Sequence, residues 1–308
     1  MISRRKFLRG APAIPWGISE VLRPARGADL DWSKQTFRVA TSSAMLADVN
    51  ENDARAALQS WADVVSGIVG MRIDYEQYFL SSPTLLLELM RKAVVDAVAC
   101  TTLDYVPFAT FVDPSILLVE PNGVGYEYVL LVNGKSNIRT VAELRGRSLA
   151  LHRHCSTCLA MSWVETLLGT SNLGPAERFF RAVTQNAKLS RTVLPVFFGQ
   201  SDACLVTQKG FRTMCELNPQ LSLTLRPVAT SPSYITALFG FHRDCQPALK
   251  LKFQSALEGL AKNATGKQLL ALFQTSGFTA KDASVLRSAM DLLETAGRLR
   301  RRYAGAKG

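Results

Sequence analysis

The chain has 308 residues and is 47% hydrophobic, a composition that excludes collagen-like and disordered chains and is enough for two packed lobes. Its formal charge of +11 suits an anionic ligand or an acidic surface. No basic stripe interleaved with aromatics runs through the body, so a nucleic-acid partner is not expected. No apolar run reaches the about 20 residues that a membrane span needs.

At the N-terminus, Ser3, Arg4, Arg5, Lys6, Phe7 and Leu8 have the form of a twin-arginine export signal,. Pro12, Pro15 and Glu20 interrupt the apolar run behind them, and Ala25, Arg26 and Gly27 form a small-x-small cleavage site. Residues 1–27 hold +5 of the charge, so a chain cut after Gly27 keeps +6. A periplasmic protein is expected. No lipobox-like cysteine occurs in this region, so no lipid anchor is expected either.

Residues 36–41 read as a first strand, with Ser42 and Ser43 in a polar loop beyond it. Over 53–67, Ala57, Leu58, Trp61, Val64 and Val65 share one helical face,. Residues 71–78 alternate as a second strand. Ser82 and Pro83 have the cap and first-position chemistry of a helix over 84–92. A strand over 93–99 then leads to a loop with Thr101, Thr102, Asp104 and Tyr105. This alternation predicts a mostly parallel sheet, in which ligands sit beyond the carboxyl ends of the strands. Thr41, Ser42, Ser43, Tyr78, Ser81, Ser82, Thr101, Thr102 and Tyr105 are therefore candidate ligand contacts, because hydroxyls can hydrogen-bond an oxyanion. Each one, taken singly, also reads as an ordinary cap or turn residue.

Residues 115–132 read as strand, turn and strand. Thr140 then caps a helical turn carrying Val141 and Leu144, Gly146 ends it, and 148–151 form a short apolar strand. Cys155, Ser156, Thr157 and Cys158 open a helix over 159–168, where free N–H groups and the helix dipole favour a negative ligand. Ser156 and Thr157 add donors. A strand over 178–183 precedes Thr184, Gln185 and Asn186, a second candidate binding loop. Lys188 either supplies a positive charge to the ligand or faces solvent. A helix over 188–198 and a strand over 202–206 follow. Residues 223–230 lead back, a turn spans 231–234, and 235–242 form a strand with His242 at its exposed end. Helices over 246–262, 265–274 and 281–302 complete the chain, the first with Leu249, Phe253, Leu257 and Leu260 as a core stripe.

Asn137, Ile138, Val141, Glu143, Leu144, Gly146, Ser156 and Thr157 carry a pattern that resembles the phosphonate-type periplasmic solute-binding proteins of ABC importers. Val95, Asp96 and Ala97 resemble the family's first-lobe strand. Gly199, Gln200, Ser201, Asp202 and Ala203 resemble its second-lobe counterpart, so the match spans about residues 36–280,. The resemblance implies a two-lobe α/β fold of the type II periplasmic binding class, each lobe a mostly parallel sheet flanked by helices. Lobe 1 would comprise 28–125 and 231–308 and lobe 2 would comprise 126–230, with the ligand in the cleft. It further implies a monomeric, non-enzymatic protein that captures a small phosphonate-like anion by hinge closure for an importer permease. A binding protein that presents its ligand to a sensor is also open. The family's usual Ser-His pair before the second-lobe helix is Lys188 and Leu189 here, which leaves phosphate, phosphonate, sulfonate and carboxylate open.

Six cysteines in an exported chain allow up to three disulfides,. His152 and His154 share a strand face just before Cys155 and Cys158. This set offers an alternative to the importer reading, a tetrahedral Zn or Cu site or a redox-active thiol pair at a helix start. A plain disulfide, or two small buried residues, is the structural reading. The importer reading expects no cofactor. No nucleophile elbow, P-loop, dinucleotide fingerprint or His-Glu-x-x-His motif is present to suggest an enzyme.

Overall fold

The computed structural model describes residues 31–121 and 125–305. The twin-arginine motif and the cleavage site lie outside the described residues. In chain order the strands are β1 (Thr36–Ser42), β2 (Arg72–Asp74), β3 (Phe79–Leu80), β4 (Ala97–Thr101), β5 (Val112–Val119), β6 (Tyr128–Asn133), β7 (Ser148–His152), β8 (Ala182–Asn186), β9 (Ala203–Thr207), β10 (Leu225–Thr230), β11 (Ala237–His242) and β12 (Thr279–Lys281). One sheet has the order β12-β5-β11-β4-β1-β2, with β3 also on β1, and the other has the order β10-β6-β9-β7-β8.

Both sheets are mixed. In the first, β2, β3 and β4 run parallel to β1, whereas β11 lies antiparallel between β4 and β5. In the second, β7 is parallel to β8 and β9, and β6 is antiparallel to β9 and β10. The antiparallel strands are those on which the chain passes between lobes. At that passage Tyr126 and Tyr234 form a single antiparallel bridge, each N–H donating to the other's carbonyl at 2.7 and 3.0 Å.

Local chemistry explains the element ends. Asn50 caps the Glu51–Val69 helix through the Asp53 N–H, and Gly70 closes it at φ +65°, where a side chain would be strained. Ser82 accepts from the Leu85 N–H with Pro83 in the first turn, and Thr140 with Glu143 forms the capping box that starts the Val141–Leu144 turn,. The expected core stripe holds, because Phe253, Leu257 and Leu260 are buried against Phe37, Trp61 and Phe241.

Four local expectations are corrected. The strand expected over 178–183 is a helical turn, Ala176–Phe179, and the strand begins at Ala182, so Gln185 and Asn186 end β8. The strand expected over 71–78 stops at Asp74 and gives way to a 3-10 turn, Glu76–Tyr78. His242 is buried, its Nε2 2.9 Å from the Met90 carbonyl and its Nδ1 accepting the Asp244 N–H at 3.1 Å. All six cysteines are free. Cys100 and Cys204 lie in the central strands of two different sheets, too far apart in the fold to pair.

The last helix, Arg287–Gly305, departs from the expected division. Its Ala289 and Leu292 enter the second-lobe core beside Trp163 and Leu168, Arg300 pairs with Glu165 at 2.6 Å, and Leu299 covers Gly169. Leu286, immediately before it, belongs to the first-lobe core. The chain thus passes between lobes a third time.

Candidate functional site

Strand ends of both sheets meet at the interlobe seam. From the first lobe come the end of β1, the Ser43–Leu46 turn and the short Thr102–Tyr105 helix that stands directly after β4 where a loop was expected. From the second comes the Cys155–Thr157 turn. The Cys158 thiol donates to the Thr236 carbonyl at 3.3 Å across the seam, and His154 Nε2 lies 4.0 Å from Asp48 Oδ2.

Most of the hydroxyls expected to hold an anion are engaged with the protein itself. Ser42 Oγ donates to Asp104 Oδ2 at 2.6 Å and Thr101 Oγ1 donates to the same oxygen at 2.9 Å. Thr102 Oγ1 donates to the Ile235 carbonyl at 2.8 Å, and Thr157 Oγ1 to the His152 carbonyl at 2.6 Å. Ser156 Oγ is 2.7 Å from His154 Nδ1, which also accepts the Ser156 N–H at 3.1 Å. All five hydroxyl residues are buried. The buried carboxylate of Asp104 thus receives two of the hydroxyls that were expected to hold an oxyanion. Sequence reading passed over it because its partner Ser42 lies 62 positions away.

The remaining candidates scatter. Thr41 is buried and lines the cavity described below. Ser43 is half-buried and opens the turn that faces Cys155–Thr157. Tyr105 packs edge-on against Phe108 in the first-lobe core, and Tyr78 leans on the same core. Ser82 is a helix cap. Ser81, Gln185 and Lys188 are exposed and Asn186 is half-buried; Gln185 and Asn186 pair with Leu151 and His152 in the sheet.

The metal and redox alternatives find no assembled site. Among the described residues, no three His, Cys, Asp or Glu side chains come together as a metal centre requires. The His152 and His154 rings stack in parallel, centroids 5.5 Å apart, and His154 Nδ1 is turned to its own turn's N–H instead of a shared ion. Burial, and then the proximity of His154, holds His152 below the usual histidine pKa; burial also lowers His154 against the pull of Asp48. Burial pushes the Cys155 thiol up to about 12 and raises Cys158 as well, reinforced by Cys155. The thiolate-stabilising effect of a helix start is outweighed, so both sulfurs stay protonated, the poorly reactive form.

The seam leads into a cavity of about 140 Å³. Its outer wall is Thr41, Glu120, Tyr126 and Cys155, drawn from both lobes and the crossing between them. Its inner wall is Leu58, Trp61, Leu257, Leu260, Phe273 and Phe278, between the first sheet and its helices. The Tyr126 hydroxyl donates to Glu120 Oε1 at 2.9 Å. A wider hollow of about 440 Å³ shares Glu120, Gly125 and Tyr126 and continues to Glu127, Lys209 and Arg212. Glu120 and Asp48 were not among the sequence candidates, and no local motif marks either.

Two lobes, each a mixed sheet flanked by helices, with a cavity at their junction define the type II periplasmic binding proteins, and solved structures share this fold. XAC2383 from Xanthomonas citri bound to chloride ion superposes with a TM-score of 0.64 at 15% identity, over 87% of this chain and 99% of that one. PhnD1 from Prochlorococcus marinus in complex with methylphosphonate gives 0.61 at 14% identity, over 83% and 96%. A binding protein component of an ABC phosphonate transporter from Pseudomonas aeruginosa gives 0.57 at 16% identity, over 89% and 99%. No curated protein sequence matches the chain. The profile of the periplasmic phosphonate substrate-binding proteins of ABC transporters matches residues 44–286, and the chain belongs to that family.

Proposed function

We propose that this protein captures a small solute in the interlobe cavity and hands it to the membrane permease of an ABC importer, acting as a monomer and without chemical change to its cargo. The observation that carries the reading is the cavity itself, because its wall is shared by Thr41 of one lobe, Cys155 of the other and Tyr126 of the crossing. A solute there touches both lobes at once, so it binds the closed arrangement better than an open one and shifts the population toward closure. We further propose that Arg4 and Arg5 direct export by the twin-arginine route.

The test is a thermal-shift screen of the mature chain against small oxyanions, amines, amino acids and uncharged solutes, followed by small-angle scattering with any hit. Ligand that binds only the native state raises Tm by mass action, by about 2.7 kcal/mol of stability at a hundredfold excess over Kd. The expected outcome is a raised Tm together with a smaller radius of gyration. A ligand that raises Tm without compacting the protein would contradict hinge closure, and a folded protein that no small solute stabilises would contradict capture.

A further inference from the structure

The cavity's lining gives its occupant a chemistry. The inner wall is wholly apolar, and the one ionisable side chain of the lining other than Tyr126 and Cys155 is the Glu120 carboxylate. Asp48 adds a second carboxylate at the seam, where it faces His154. Among the described residues no lysine or arginine lines this cavity; Lys209 and Arg212 belong to the neighbouring hollow. The hydroxyls of Ser42 and Thr101 are committed to Asp104 and those of Thr102 and Thr157 to backbone carbonyls, which leaves Thr41 as the one expected ligand hydroxyl on the described lining.

Size sets the second limit. A dry apolar cavity of about 150 Å³ accommodates benzene, so about 140 Å³ accommodates one ring or a chain of about six carbons. An oxyanion placed here would lose its hydration with no cationic side chain on the described lining and would face a carboxylate, which is costly in a low-dielectric site,. An apolar group would gain by the same burial.

We propose, resting on the solute-capture reading above, that the cargo is an amphiphilic organic cation: an ammonium head held at Glu120 with an apolar body, no larger than about one ring, seated between Trp61 and Phe273. The family's phosphonate cargo would then be replaced in this chain by a cargo of opposite charge.

Calorimetric titration tests this with n-alkylammonium salts from propyl to octyl, benzylammonium, the matching alcohols, and methyl- and hexylphosphonate. Each added CH₂ contributes about 0.8 kcal/mol when buried, so affinity should rise about fourfold per carbon and level off at about six carbons. At equal chain length the ammonium should bind at least about tenfold tighter than the alcohol, and Glu120→Gln should remove most of that advantage. Leu58→Trp, which fills the cavity, should abolish the chain-length dependence while circular dichroism shows the fold retained; Trp61 fluorescence gives a second readout in the wild-type chain. Methylphosphonate binding that equals or exceeds that of hexylammonium overturns the cation and leaves solute capture standing. Ammonium binding that ignores chain length overturns the apolar body. If no member of the series binds folded protein, the amphiphile is rejected, and capture is then judged on the wider screen alone.

Discussion

At the residue scale the most consequential charges are those that already have protein partners. Asp104 gathers two hydroxyls in the seam, and Asp113 plays a similar part in the first-lobe body. Lys250 Nζ lies 2.6 Å from Asp113 Oδ2 and 3.0 Å from the Arg243 carbonyl, with only 7% of the Lys250 side chain exposed. Burial alone would raise the Asp113 pKa, but the hydrogen bonds from Lys250 and Ser115 outweigh it and lower the group from 3.8 to about 2. The folded pKa is below the unfolded one, so on acidification the unfolded chain takes up this proton first. The pair's contribution is therefore fully present above about pH 4 and is lost as pH falls toward about 2. The shift corresponds to about 2 kcal/mol. Lys250→Met leaves the carboxylate without its cation and should cost about 3–5 kcal/mol at neutral pH. Urea unfolding at pH 7 and at pH 3 measures both effects: the variant's deficit should shrink at the lower pH, and a deficit independent of pH would contradict the ion-pair account.

At the element scale the crossing strands leave no room between their backbones. A Cβ built on Gly125 would stand 2.2 Å from the carbonyl carbon and oxygen of Tyr234, which are backbone atoms held by the Tyr126 to Tyr234 bridge and cannot rotate away. Gly125→Ala must therefore spread the two crossings, with an overpacking cost of about 1–3 kcal/mol. Equilibrium denaturation should record that loss, and scattering should show an altered lobe separation. An unchanged stability would mean that the crossing is looser than its geometry indicates.

Legibility in the sequence follows the range of the interactions. The Thr140 cap, the Ser82 cap with Pro83, and the stripe at Phe253, Leu257 and Leu260 were readable because each is complete within a few residues. β8 was misplaced because its Ala182–Asn186 segment is mostly exposed and lacks the apolar alternation of a half-buried strand,. The site was least legible. Thr102 finds its acceptor 133 positions away at Ile235, and the cavity assembles side chains from Val39 to Phe278. Ser42 and Thr101 stand at strand ends that meet in the seam, yet nothing local told that their hydroxyls would be spent on Asp104.

On the scale of the whole molecule, three crossings between the lobes fall among the described residues: at Gly125 and Tyr126, from Ser231 to Thr236, and at the step from Leu286 to Arg287. The third is reinforced by the Arg287–Gly305 helix, whose Leu299 lies against Gly169 and whose Arg300 meets Glu165. Leu299→Asp should lower Tm by about 5 °C, the equivalent of about 3 kcal/mol in a chain of this size, and should increase the radius of gyration of the unliganded protein. A lower Tm with unchanged dimensions would assign the helix to second-lobe stability alone.

A hatch hung on two leaves and fitted with a stay travels only as far as the stay permits. For this protein the stay is a 19-residue helix rooted in one lobe and lying along the other. On the capture reading, the dwell time of a captured molecule would depend, away from the cavity, on the packing of that helix against the Ala160–Thr170 helix. Two chains with identical cavities could release the same cargo at different rates, the difference residing in their C-terminal residues.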